Sequence, residues 1–182
     1  MRVSPTVVQV EVSVNYRRTL VQMRDAAKQK AGCSNQITDA NFPIDSSWTY
    51  VRDFFLVDFH RLVKDSEVPI LSEILWELDQ LGLQPEGPAE LCALAEAYPE
   101  LQKKVNIVAR RQLWRSHEGT MVCPMLHTFE DSDNVHAIGP LGYRVDGRGN
   151  PLSFVSGIGL VNVNWGWDPL IPYQFLTSLK RK

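Results

Sequence analysis

The sequence predicts an α+β fold in which a helical hairpin packs on a mainly antiparallel β-sheet, and three observations predict it. From Ser66 to Leu101, SEVPILSEILWELDQLGLQPEGPAELCALAEAYPEL, apolar residues recur at three- and four-residue steps in two runs separated by Gly82 and by Gly87-Pro88. Near the start, Val8, Val10, Val12 and Val14 alternate with Gln9, Glu11 and Ser13, the two-residue period of a half-buried strand. Beyond Gln102-Lys103-Lys104, short extended runs are separated by turn residues, which is how antiparallel strands are spaced.

The elements follow in chain order. After the valine strand and Asn15-Tyr16, residues Leu20, Met23, Ala26 and Ala27 lie on one side of a short amphipathic helix, with Lys28 and Lys30 near its negative end and Gly32 beyond it. Cys33-Ser34-Asn35 and residues 38–45 read as a loop pinned by one buried aromatic, Phe42. Trp48 to His60 is aromatic and branched on both faces, Val51, Phe55, Val57 and Phe59 on one and Trp48, Tyr50, Phe54 and Leu56 on the other, so it belongs in the interior of the sheet. In the hairpin, Ser66 caps a first helix with Pro69 in its opening turn and with Ile70, Leu71, Ile74, Leu75, Leu78 and Leu81 on its buried stripe. Its second helix carries Leu91, Leu94, Ala95 and Tyr98 up to Pro99. The later strands are expected at 105–109, 112–115, 120–129, 135–145, 154–163 and 173–179.

At 182 residues the chain reads as one domain, 1–182, with an N-terminal strand-helix-strand part over 1–64, the hairpin over 65–104 and a β-rich part over 105–182. That length buries a sizeable core without covalent staples. Cys33, Cys92 and Cys123 are odd in number and match neither a secreted disulfide framework nor paired zinc ligands, so reduced thiols are expected. The first residues lack the continuous apolar run of a signal peptide, and no later run is long enough to span a bilayer, which together predict a cytoplasmic protein without a membrane segment. A net charge of -2 argues against nucleic acid as a partner held by phosphate neutralisation. Arg110-Arg111 and the closing LKRK read as solvated surface.

Three pieces carry a likeness: Asn15-Tyr16-Arg17-Arg18-Thr19, Ile37-Thr38-Asp39-Ala40-Asn41-Phe42-Pro43, and the stretch from Glu73 through Leu101 to Ala109. Together they resemble a family of uncharacterised bacterial and phage-associated proteins in which a leucine-rich helix leads through a Gly-x-x-Pro linker to a Glu-Leu-x-Ala-Leu helix, a Tyr-Pro-Glu-Leu-Gln turn and an Ile-Val-Ala strand. The resemblance covers about the first two thirds of the chain and implies no activity.

Candidate chemistry is sparse. His60, His117, His127 and His136 sit at no helical ligand spacing and in no zinc signature. Cys123 and His127, four apart on an expected strand, share a side and form the one candidate nucleophile-base pair, supporting an enzyme of unknown class as a third reading. Gly147-x-Gly149 and Ser156-Gly157-Ile158-Gly159 read as turns or bulges, and Asp131 with Asp133 as a solvated turn. The most suggestive feature is aromatic: Tyr143, Trp165, Trp167, Tyr173 and Phe175 lie near Asn162, Asn164 and Asp168. Rings beside amides and a carboxylate suit a partner's hot spot or a sugar. The expected binding residues are therefore Tyr143, Asn164, Trp165, Trp167, Asp168 and Tyr173, with the rings acting as core for the helices as the alternative. The first functional reading is a non-enzymatic interaction or accessory protein with a protein partner, no metal and no cofactor. The second is a small-ligand or carbohydrate-binding module, because Gly139-Pro140-Leu141-Gly142-Tyr143-Arg144, Trp165 and a final strand resemble the C-type-lectin-like arrangement.

Overall fold

A computed structural model describes residues 5–27, 34–44, 49–59, 71–99, 101, 106–116, 119–130, 137–138, 144–145, 154–162 and 173–180. In chain order the elements are β1 (Thr6–Asn15), α1 (Leu20–Ala26), β2 (Thr49–Asp58), α2 (Leu71–Gln80), β3 (Leu83–Pro85), α3 (Pro88–Ala97), β4 (Asn106–Val108), β5 (Trp114–Arg115), β6 (Met121–Glu130), β7 (Ala137–Ile138), β8 (Arg144–Val145), β9 (Phe154–Asn162) and β10 (Tyr173–Leu179). The fold class is α+β, with the described helices packed on a mainly antiparallel mixed sheet. Eight described strands form that sheet, in the order β1-β2-β10-β4-β6-β5, with β3 added to β10 and β9 to β6. The pair β4–β10 is parallel, and β7 with β8 forms a separate ribbon where the sequence predicts one strand over 135–145.

Alternation along the strands sorts the interior into two cores. Phe54 and Leu56 of β2, Ile107 of β4, Leu126 of β6 and Leu176 of β10 face the first core, which α1 and α3 cover. Val57 of β2, Val108, Cys123, Met125, Tyr173 and Phe175 face the second, which receives Ile74 and Leu78 of α2. Because successive side chains on a strand point to opposite sides, the two helices over 71–97 cover opposite faces of the sheet. Between them the chain lays down β3, antiparallel to β10, with Leu83 opposite Leu179. Over the described residues the hairpin helices are present where the periodicity predicts them, and the expected start of the first, Ser66 to Ile70, lies outside the described residues. The link between them is a strand of the sheet, and Leu81, expected on the buried stripe, is exposed.

Local signals account for the helix ends. Thr19 caps α1 through a reciprocal pair with Gln22, Oγ1 accepting from its backbone N–H at 3.2 Å and the Gln22 side chain accepting from Thr19 N–H at 2.9 Å. The seven residues of α1 are few, and Asp39 further ties the Leu20 N–H at 3.0 Å. α3 is buried from Pro88 to Ala95, the pattern of a helix apolar nearly all round rather than on one stripe. Phe42 is fully buried in the first core and meets Trp114 edge-on at 6.4 Å, which is how residues 38–44 are pinned.

Gly82 ends α2 at φ +69°, a left-handed conformation, and no atom would obstruct an added Cβ. Gly82→Ala is therefore expected to cost about 1 kcal/mol, purely as backbone strain, in chemical denaturation. A change within error would mean that the turn relaxes to accept a side chain.

Candidate functional site: an enclosed carboxylate pair

The residues expected to bind are placed unevenly. Tyr143, Asn164, Trp165, Trp167 and Asp168 lie outside the described residues, as do His60, His117, His136, Asp131, Asp133, Gly147 and Gly149. Tyr173 opens β10 and is 8% exposed, buried in the second core with Val57, Phe59 and Phe175. Ser156, Gly157, Ile158 and Gly159 are not a turn: they run through β9 in continuous register with Thr128 to Met125 of β6. Among the described residues no group of three or more His, Cys, Asp and Glu side chains could hold a metal ion.

Cys123 and His127 both belong to β6, paired with Val161 and Gly157. Four residues along a strand separate their Cα atoms by about 13 Å. Burial pushes the Cys123 thiol up to about 12, with the Arg110 guanidinium only partly opposing it. A thiol held that high carries almost no thiolate at neutral pH, which speaks against Cys123 as an activated nucleophile. The native chain at pH 7 is expected to label at Cys123 at least about 100-fold more slowly than the denatured chain, read by peptide mapping after timed alkylation. Comparable rates would show a reactive thiol.

The one concentration of charge inside the described structure is at the corner between β3 and α3. Glu86 is fully buried and Glu90 is 3% exposed, although carboxylates are seldom enclosed without partners. Gly87 introduces α3 and Pro88 opens it, which puts Glu90 in the first turn, where its Oε2 accepts from Gly87 N–H at 3.1 Å. The Tyr16 hydroxyl donates to the other oxygen, Oε1. Glu86 precedes Gly87 and stands where β3 leaves the sheet. Its N–H donates to Leu176 O at 2.9 Å, and its carbonyl accepts from Arg111 N–H at 2.9 Å. Ser178 Oγ donates to Glu86 Oε1, whereas Oε2 meets no hydrogen-bond donor. Arg52 Nη1 lies 3.6 Å from Oε1 and Arg111 Nη1 3.6 Å from Oε2, close enough for charge attraction and too long for hydrogen bonds. The Arg52 side chain is 15% exposed and lies over the Phe54 ring, 5.9 Å from its centroid; Arg111 is 48% exposed.

Burial, reinforced by the charge of Glu90, raises the Glu86 carboxyl above its ordinary value, against the Ser178 hydrogen bond and the two guanidinium groups. The cluster is enclosed by protein atoms and flanked by two cations. That arrangement can hold or release a proton and does not suit a cation.

Arg110 and Arg111 are not both solvated surface. Arg111 faces Glu86, and Arg110 has a buried Nε with no hydrogen-bond partner, its guanidinium lowered by burial. The sequence signal for the corner is slight: Gln-Pro-Glu-Gly-Pro-Ala-Glu holds two carboxylates between Leu83 and Leu91, with the second three residues after the capping glycine.

Compared with known proteins, the chain matches no family model, no curated protein and no solved structure.

Proposed function

We propose that this chain is a non-enzymatic accessory protein that engages a protein partner. What supports the reading is an apolar corner where α2, β3 and β10 meet. Trp76, Leu81 and Leu179 are 50%, 41% and 61% exposed. Lys180 N–H donates to Gly82 O at 2.9 Å and the Lys180 ammonium pairs with Asp79, so Leu81 and Leu179 flank one backbone bond within a charged rim. Trp76 lies about a turn and a half earlier on α2. Exposed large apolar side chains beside an ion pair are the composition of an interface, with aromatic residues as its anchors. A sugar ligand would instead draw on Trp165 and Trp167, and nucleic acid fits poorly with the charge of -2. Cys92 and Cys123 are buried and in no disulfide among the described residues, which supports a reducing, cytoplasmic setting. Among the described residues no helix is long and apolar enough to cross a membrane.

The test is co-purification from native cells, identification of the partner, and titration of that partner against the purified chain. Trp76→Ala with Leu81→Ser and Leu179→Ser is expected to weaken binding more than about tenfold without changing the thermal midpoint by much. Trp165→Ala with Trp167→Ala serves as the second arm. Unchanged affinity in the triple variant removes the corner as the binding surface, and unchanged affinity in both variants removes the reading.

A further inference from the structure

We propose that the Glu86 corner is a proton-operated latch, closed while Glu86 carries a proton and loosened when that proton leaves. The latch requires no partner. Glu86 joins three parts of the sheet through its own backbone: it ends β3, donates to Leu176 of β10, and accepts from Arg111 just after β4. A change at its side chain is thus transmitted to the place where β3 and β4 share β10.

Among the described residues, groups from several elements converge on Glu86. Arg52 comes from β2, Ser178 from β10, Arg111 from the chain after β4 and Glu90 from α3, while Tyr16, following β1, donates to Glu90. Glu90 accepts two hydrogen bonds, from Tyr16 and from Gly87. Glu86 accepts one, and its Oε2 meets no donor. With a proton on Glu86, the two guanidinium groups face a neutral carboxyl. Loss of that proton puts a negative charge, shared by both oxygens, on an enclosed carboxylate beside Glu90, and no donor reaches its Oε2. The arginines offset that charge only in part where they stand, because both are at 3.6 Å, too far to hydrogen-bond, and the attraction of half-exposed Arg111 is screened by water. Relief comes when the arginines draw in or the corner opens to solvent, and each shifts the link between β3 and α3.

The direction follows from proton linkage. Glu86 binds its proton more readily in the folded chain than in the unfolded one, by burial first and by the Glu90 charge second. Its stabilising contribution is complete below the ordinary glutamate value and is lost as pH rises through the higher, folded value.

Two measurements on the full chain decide between a latch and a passive buried acid. In protein labelled with carbon-13 at the glutamate carboxyls, Glu86 is expected to titrate above 4.5, the ordinary value. Amide exchange over 83–90 and 176–178, corrected for the intrinsic pH dependence, is expected to speed up about tenfold for each pH unit between the ordinary glutamate value and that midpoint in the wild type, to level off above it, and to stay flat in Glu86→Gln. A Glu86 midpoint at or below 4.5, or identical exchange profiles in the two proteins, overturns the latch. Should Glu86→Gln fail to fold, the exchange profile of the wild type still decides: exchange over 83–90 and 176–178 that stays flat from the ordinary glutamate value through the Glu86 midpoint overturns the latch.

Discussion

Glu86→Ala is expected to lower stability at pH 7 by about 3 kcal/mol in chemical denaturation, while Glu86→Gln loses less than half of that. Alanine removes the acceptor of the buried Ser178 hydroxyl, the carboxylate that faces Arg52 and Arg111, and the volume that fills the junction of β3 and β4. Glutamine keeps the volume and an acceptor for Ser178 and surrenders only the charge, which is costly to bury in the first place. The gap between the two variants therefore measures how much of the corner rests on shape and hydrogen bonding rather than on charge. Equal losses in both would show that the ion pairs at 3.6 Å dominate after all.

A loss of comparable size is expected from Phe42→Ala, about 3 to 5 kcal/mol, although Phe42 belongs to no helix or strand. Its ring is fully buried in the first core and meets Trp114 edge-on, so truncation removes transferred apolar area, leaves a cavity and forfeits the ring pair. Phe42→Leu, which retains most of the apolar volume, should recover at least half of the loss. A loss under about 1 kcal/mol for alanine would mean that the loop collapses onto the site and that Phe42 pins nothing.

Phe42 is legible in the sequence because a lone large aromatic in a polar loop has nowhere favourable to go but inward. Periodicity is sufficient for β1 and for α1, each with turn or cap residues beside it, and β10, whose bounds at Tyr173 and Leu179 coincide with the expected run, is marked by the turn residues before it rather than by strict alternation. β3 is not legible, since three residues carry no period and Leu83–Pro85 is extended only because β10, more than ninety residues later, pairs with it. The same holds for the placement of α2 and α3 on opposite faces, which depends on that strand. Of the candidate site, the sequence points to late aromatics that fall, Tyr173 and Phe175 apart, outside the described residues, and it passes over Glu86 and Glu90. A buried glutamate reads like any exposed one until its neighbours are known. Here those neighbours come from β2, β10, α3 and the segment after β4.

The position of β10 has a consequence for how the molecule is made. It touches β2, β3 and β4, yet it follows all of them in the chain. During synthesis the earlier strands must wait, with hydrogen-bonding edges open, until this late partner leaves the ribosome. A chain stopped short of Tyr173 would lack the piece that locks the others together, and would present three unsatisfied strand edges to its neighbours in the cell.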